Sequence, residues 1–120
     1  MKRSVVIGAL TLALGTFAVS ASALPDPHVH NPKLDHLAVR IQHFRYHAPH
    51  HDRIMVGRPI DVTNTDGVPH SLTADDASFD TGVFTSGTVT IHAPEEPGDY
   101  PFHCTIHPGM TGVLDVLPNP

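Results

Sequence analysis

Only one cysteine, Cys104, occurs in 120 residues. No disulfide can form within one molecule, although small domains with thin cores often rely on one. Positive charge is scarce as well: seven Lys and Arg face twelve Asp and Glu, a formal charge of −5. That balance excludes the basic stripe of a nucleic-acid binder, and a charged partner would need a basic face. Beyond the first two dozen residues no stretch carries the 3.6-residue apolar stripe of a core-facing helix, and there is no internal repeat. No Ser/His/Asp set or paired-carboxylate cleft stands out. Asp75-Asp76 and Glu95-Glu96 read as solvated turn charges.

The amino-terminal region has a different character. Met1-Lys2-Arg3 is a short basic start, Ser4 to Val19 is almost wholly apolar, and Ser20-Ala21-Ser22-Ala23 supplies small residues in an A-x-A pattern. This is the layout of a cleaved secretory signal peptide over residues 1–23; the alternative, a retained anchor, suffers from an apolar run that is short for a span. Lys2-Arg3 is not a twin-Arg pair, and no cysteine near the cut could take a lipid. The expectation is export to the periplasm or the extracellular envelope without stable membrane insertion, with any metal loaded there. Residues 24–36 hold three prolines and no periodicity, the pattern of a His/Pro-rich flexible leader, and residues 37–120 form the single domain.

Alternation begins at Leu37, Val39 and Ile41, and Phe44 and Tyr46 continue it on shifted footing. Ile54 and Val56, then Ile60, Val62 and Asn64, give further strands. Pro59 points to an edge or a strand start. Val83 and Thr85 with Thr88 to His92, then Tyr100, Phe102 and Cys104, then Val113 to Leu117, complete the set. Short strands with Gly/Pro turns every eight to twelve residues predict an all-β Greek-key sandwich.

The chemistry concentrates in His103-Cys104-Thr105-Ile106-His107-Pro108-Gly109-Met110. Cys104, His107 and Met110 are spaced C-x2-H-x2-M, and a turn at Pro108-Gly109 would fold the last two back towards the first. A thiolate, imidazoles and a weak thioether suit copper in both oxidation states; zinc, which prefers a tetrahedral site without thioether, is the competing metal. The trigonal set needs a second imidazole. His70, after the strand ending at Asn64, is the candidate. On a strand His103 should face away from Cys104.

With these residues in view, the chain resembles the cupredoxins, the small type 1 blue-copper proteins, and within them the amicyanin and plastocyanin-like group. The resemblance runs from about Val39 to Val116. It includes Phe44, Tyr46, Pro49, Val56-Gly57, Asn64 with Asp66, Phe79 to Gly82 and Pro97 to Phe102. The short Cys–His–Met spacing is similar to amicyanin's loop. Two positions depart: Val62 stands where the family often has Trp, and Ser71 where it commonly has the Asn that ties the ligand loops together. The resemblance implies one type 1 copper held by His70, Cys104, His107 and, weakly, Met110. It further implies a monomeric, non-enzymatic one-electron carrier whose redox partners dock transiently near His107, on an apolar patch to which Val68, Pro69, Pro108 and Gly109 contribute.

His28, His30, His36, His43, His47, His50 and His51 crowd positions 28–51. They are either a copper-gathering tail or incidental imidazoles on a solvated leader. The first option keeps open a second function, extracytoplasmic copper scavenging, storage or delivery. A multicopper oxidase would need histidines on both sides of its Cys, whereas Thr105 follows Cys104 here.

Overall fold

The computed structural model describes residues 31–48 and 52–120. The expectations for the signal segment, for His28 and His30, and for Pro49, His50 and His51 lie outside the described residues. Within them, period-2 sequences become strands: β1 (Leu37–Gln42), β2 (Arg45–His47), β3 (Arg53–Met55), β4 (Pro59–Asn64), β5 (Thr73–Ala74), β6 (Gly87–His92), β7 (Gly98–His103) and β8 (Thr111–Leu117). They form two four-stranded sheets, ordered β2-β1-β4-β6 and β3-β8-β7-β5. The chain crosses repeatedly between them, so β1 lies parallel to β4 and β3 parallel to β8, while the other pairings are antiparallel. The helical content described is one 3-10 turn, Pro32–Leu34, inside the segment read as leader; Asn31 caps it by accepting the Lys33 N–H. The all-β sandwich expected from the strand pattern is the fold observed.

Alternation places Leu37, Val39 and Ile41 of β1 and Ile60 and Val62 of β4 on the inner face of the first sheet. They meet Ile54, Ala74, Phe102, Leu114 and Val116 from the second. Burying each such aliphatic side chain contributes about 1.5–3 kcal/mol. Cys104 and Met110 belong to the same core, at its end.

Two local readings need correction. The β1 alternation does not run through Phe44. β1 stops at Gln42, which pairs with Arg45, and His43 (φ 56°) and Phe44 (φ 58°) form a tight two-residue turn. Left-handed backbone costs a bulky residue roughly 1–2 kcal/mol, and Asn-Gly is what such a turn prefers. Here the Asp66 carboxylate stabilises it by accepting both N–H groups, from His43 at 2.6 Å and from Phe44 at 2.9 Å. Nor do Val83 and Thr85 belong to a strand: Val83 is exposed, and only Phe84 forms a bridge, to His70. Pro59 is a strand start, not an edge residue, since β4 lies between β1 and β6.

Two predictions follow from the packing and the sheet surface. A Cβ at Gly112 would overlap the ring of Phe102, its cross-strand partner. Gly112→Ala is therefore expected to lower stability by about 1–3 kcal/mol in urea unfolding. On the outer face of the first sheet, Asp61 accepts from Thr90 Oγ1 (2.5 Å) and pairs with His36 (2.9 Å); these two contacts hold its carboxyl below its ordinary value of 3.8. The stability this provides is complete above that ordinary value and is lost as pH falls through the lower folded-state value. Asp61→Asn should flatten the acid limb of a stability-versus-pH curve below about pH 4.

Candidate metal centre

The loop after β4 is shaped by a buried amide. Asn64 donates to the carbonyls of Val68 and Phe84, both at 2.8 Å, and its Oδ1 accepts the Asp66 N–H at 3.0 Å. Reciprocal backbone bonds between His70 and Phe84 (3.0 and 2.9 Å) then fix the His70 backbone. The His70 side chain is fully buried, and its Nε2 meets Asp66 Oδ2 at 2.8 Å. A carboxylate there keeps the proton on Nε2 and leaves the Nδ1 lone pair free.

The second ligand loop closes on itself. Cys104, following β7, donates its N–H to the Met110 carbonyl (3.1 Å), and Met110 donates to the His107 carbonyl (3.2 Å). Gly109, at φ 97°, supplies the left-handed step that lets so short a loop turn. Cys104 and Met110 are buried, and His107 is half-buried.

Ser71 joins the two loops. Its N–H points at Cys104 Sγ (3.4 Å), and its hydroxyl accepts the Thr105 N–H (3.0 Å) while contacting the Thr73 and Thr105 hydroxyls. The hydroxyl, shorter than an amide side chain, still spans the gap between the two loops. The Ser71 carbonyl accepts from Tyr46 Oη at 2.6 Å. Burial, assisted by the nearby Cys104, raises the Tyr46 phenol far above its ordinary value, so it remains a donor.

These constraints bring three donor atoms together. His70 Nδ1 and His107 Nδ1 are 3.1 Å apart, and Cys104 Sγ lies 3.5 Å from the second and 4.0 Å from the first. A triangle with those sides has a circumscribed radius of about 2.1 Å, close to a metal–imidazole bond length. Two nitrogens and a sulfur at that spacing fit a soft or borderline ion in a trigonal plane. Among the described residues, this is the group of His, Cys, Asp or Glu side chains placed to hold a metal.

The structure brings His70, Cys104 and His107 together and buries Met110 on the same loop as the last two. His103 turns outward and pairs with Asp75 at 2.5 Å. At the rim, Pro69, Pro108 and Gly109 are exposed and Val68 is half-buried. Phe44 and Ile106 add exposed apolar surface that sequence reasoning did not assign there. The part played by Asp66 was missed as well. Nothing in Thr65-Asp66-Gly67 distinguishes a carboxylate serving His43, Phe44 and His70 from an ordinary turn aspartate.

A two-sheet sandwich with a His/Cys/His cluster at one end defines a small β protein with a place for a metal ion. The model of the cupredoxin-like domain family matches residues 9–116, and the chain belongs to that family. Among solved structures it is similar to a Cu(I) form of an amicyanin mutant: 23% identity over 69% of this chain and 83% of that one, TM-score 0.59. It is also similar to a purple cupredoxin from Nitrosopumilus maritimus, at 25% identity, covering 68% and 98%, TM-score 0.55. A copper-containing nitrite reductase from Thermus scotoductus matches at 23% identity and TM-score 0.57, covering 68% of this chain but 22% of the reductase. No curated protein sequence matches. The amicyanin structure is a Cu(I) form, and in this chain the His/Cys/His triangle could hold one metal ion.

Ser71→Ala removes the hydroxyl that accepts the Thr105 N–H. It is expected to cost the apoprotein about 0.5–1.5 kcal/mol in denaturant titration, the net worth of one such bond, with the far-UV circular dichroism spectrum unchanged.

Proposed function

We propose that the protein is an exported one-electron carrier whose single type 1 copper would be held by His70, Cys104 and His107 and, weakly, by Met110. The observation that carries this reading is the triangle of His70 Nδ1, His107 Nδ1 and Cys104 Sγ, held by hydrogen bonds of Asp66, Ser71 and the loop backbone. Bound there, copper supplies a one-electron Cu(II)/Cu(I) couple. The residues do the rest. Asp66 holds His70, and Ser71 fixes the distance between the two ligand loops. Burial of Cys104 excludes water, and the Ser71 N–H at its sulfur tunes the potential. Because these supports are built into two sheets, donors move little when the charge changes, which favours fast transfer.

A carrier fits better than an enzyme, because four ligands from one chain leave no coordination position for a substrate. Electrons would pass through His107, the half-buried ligand, inside the rim of Phe44, Pro69, Ile106 and Pro108. The acidic balance suits brief docking of a monomer to redox partners with basic faces. Export to the periplasm or cell envelope rests on the reading of residues 1–23.

Addition of one equivalent of Cu(II) should give an intense visible sulfur-to-copper absorption and saturate at one ion per chain. Cys104→Ser should abolish that band while His107→Ala leaves a folded protein with a disturbed spectrum. A band that survives Cys104→Ser would refute the ligand set.

A further inference from the structure

Phe44 stands in a turn that its side chain does not favour, and it is half exposed, outside the core. Its ring nevertheless meets both imidazoles nearly at right angles, His70 at a centroid distance of 5.1 Å and His107 at 5.0 Å. The Asp66 carboxylate that accepts the His43 and Phe44 N–H groups also binds His70 Nε2. Asp66, the turn, the Phe44 ring and His70 therefore make a closed cycle, and His107 touches it only through Phe44 and the other imidazole.

We propose that Phe44 is a positioning residue for the metal ligands: the Asp66-clamped turn presses its ring against His70 and His107, and this contact restrains His107, the ligand nearest solvent. His70 is fixed independently through Nε2. His107 Nδ1 faces His70 Nδ1 and Cys104 Sγ, and no hydrogen bond to its Nε2 is formed among the described residues, so the Phe44 ring adds a further contact that limits rotation of the imidazole. A β-turn dipeptide such as Asn-Gly would relieve the backbone but leave that face open. Aromatic pairs in this edge-to-face arrangement add to plain burial, and here the addition falls on the ring whose departure would release the ion. The inference rests on the copper reading above, but its first test does not need copper.

In the full chain without metal, side-chain NMR relaxation of the His107 imidazole reports its order directly. Phe44→Gly removes the ring and also the strain, since glycine accepts positive φ; it should keep or raise the melting temperature while the His107 ring becomes more mobile. Phe44→Tyr should leave both as in the wild type. With one equivalent of copper reduced by ascorbate, transfer of Cu(I) to bathocuproine disulfonate should be about tenfold faster for Phe44→Gly, a difference of about 1.4 kcal/mol, and within about twofold of wild type for Phe44→Tyr. Asp66→Asn should also speed transfer, and its effect should shrink in the Phe44→Gly background, as expected for coupled residues. Unchanged His107 order and unchanged transfer in Phe44→Gly would overturn the proposal. So would a variant that affects only the electron-transfer rate with a redox partner, which would make Phe44 a docking residue. Failure of the wild type to bind copper would sink the copper reading alone, and the metal-free relaxation would still decide the role of Phe44.

Discussion

Three electron-rich atoms, His70 Nδ1, His107 Nδ1 and Cys104 Sγ, face one another at 3.1–4.0 Å. Such donors gain from proximity only when a proton or a cation lies between them. The fold supplies the constraint. Asn64 shapes one loop, the Cys104–Met110 and Met110–His107 backbone bonds close the other, and Ser71 sets their separation. Each of these polar groups is itself satisfied, so burying them carries no open penalty. The buried amide and hydroxyl at this end of the sandwich are there to hold a geometry that the apolar core alone would not specify.

That arrangement links packing to redox chemistry. A centre whose donors are fixed by the two sheets does not reorganise much when one electron arrives or leaves. In the proposed carrier, His107 would be the route out of the core, beside the exposed Phe44, Pro69, Ile106 and Pro108. Asp66 extends the scaffold in the other direction. One carboxylate stabilises a strained turn and orients a buried imidazole, and hydrogen bonds from the Phe44 and His43 amides, with that of His70, hold its carboxyl below the ordinary value. Local strain at His43 and Phe44 is thereby tied to the functional end, the place where backbone outliers are commonly found.

Much of this was legible in the sequence. Period-2 burial in Leu37–Ile41 and Pro59–Asn64 announced the sandwich, and the C-x2-H-x2-M spacing marked the short loop, because both signals are local. His70 was within reach because its place after an alternating strand puts it at the strand's end. What could not be read is non-local. His43-Phe44 carries no turn residue, so its hairpin is visible only once Asp66, 23 and 22 residues away, is seen to accept both amides. Ser71 departs from the Asn of the resemblance, yet its hydroxyl reaches the Thr105 N–H, a contact that no pattern of residue types encodes.

The central claim is that the protein, not the metal, positions the donors. Crystal structures of the metal-free, Cu(II) and Cu(I) forms test it most directly. The account predicts that His70 Nδ1, His107 Nδ1 and Cys104 Sγ superpose within about 0.5 Å across all three, the tolerance of a preorganised site. A metal-free form in which either imidazole swings away from the triangle, or in which the 104–110 loop opens, would contradict it.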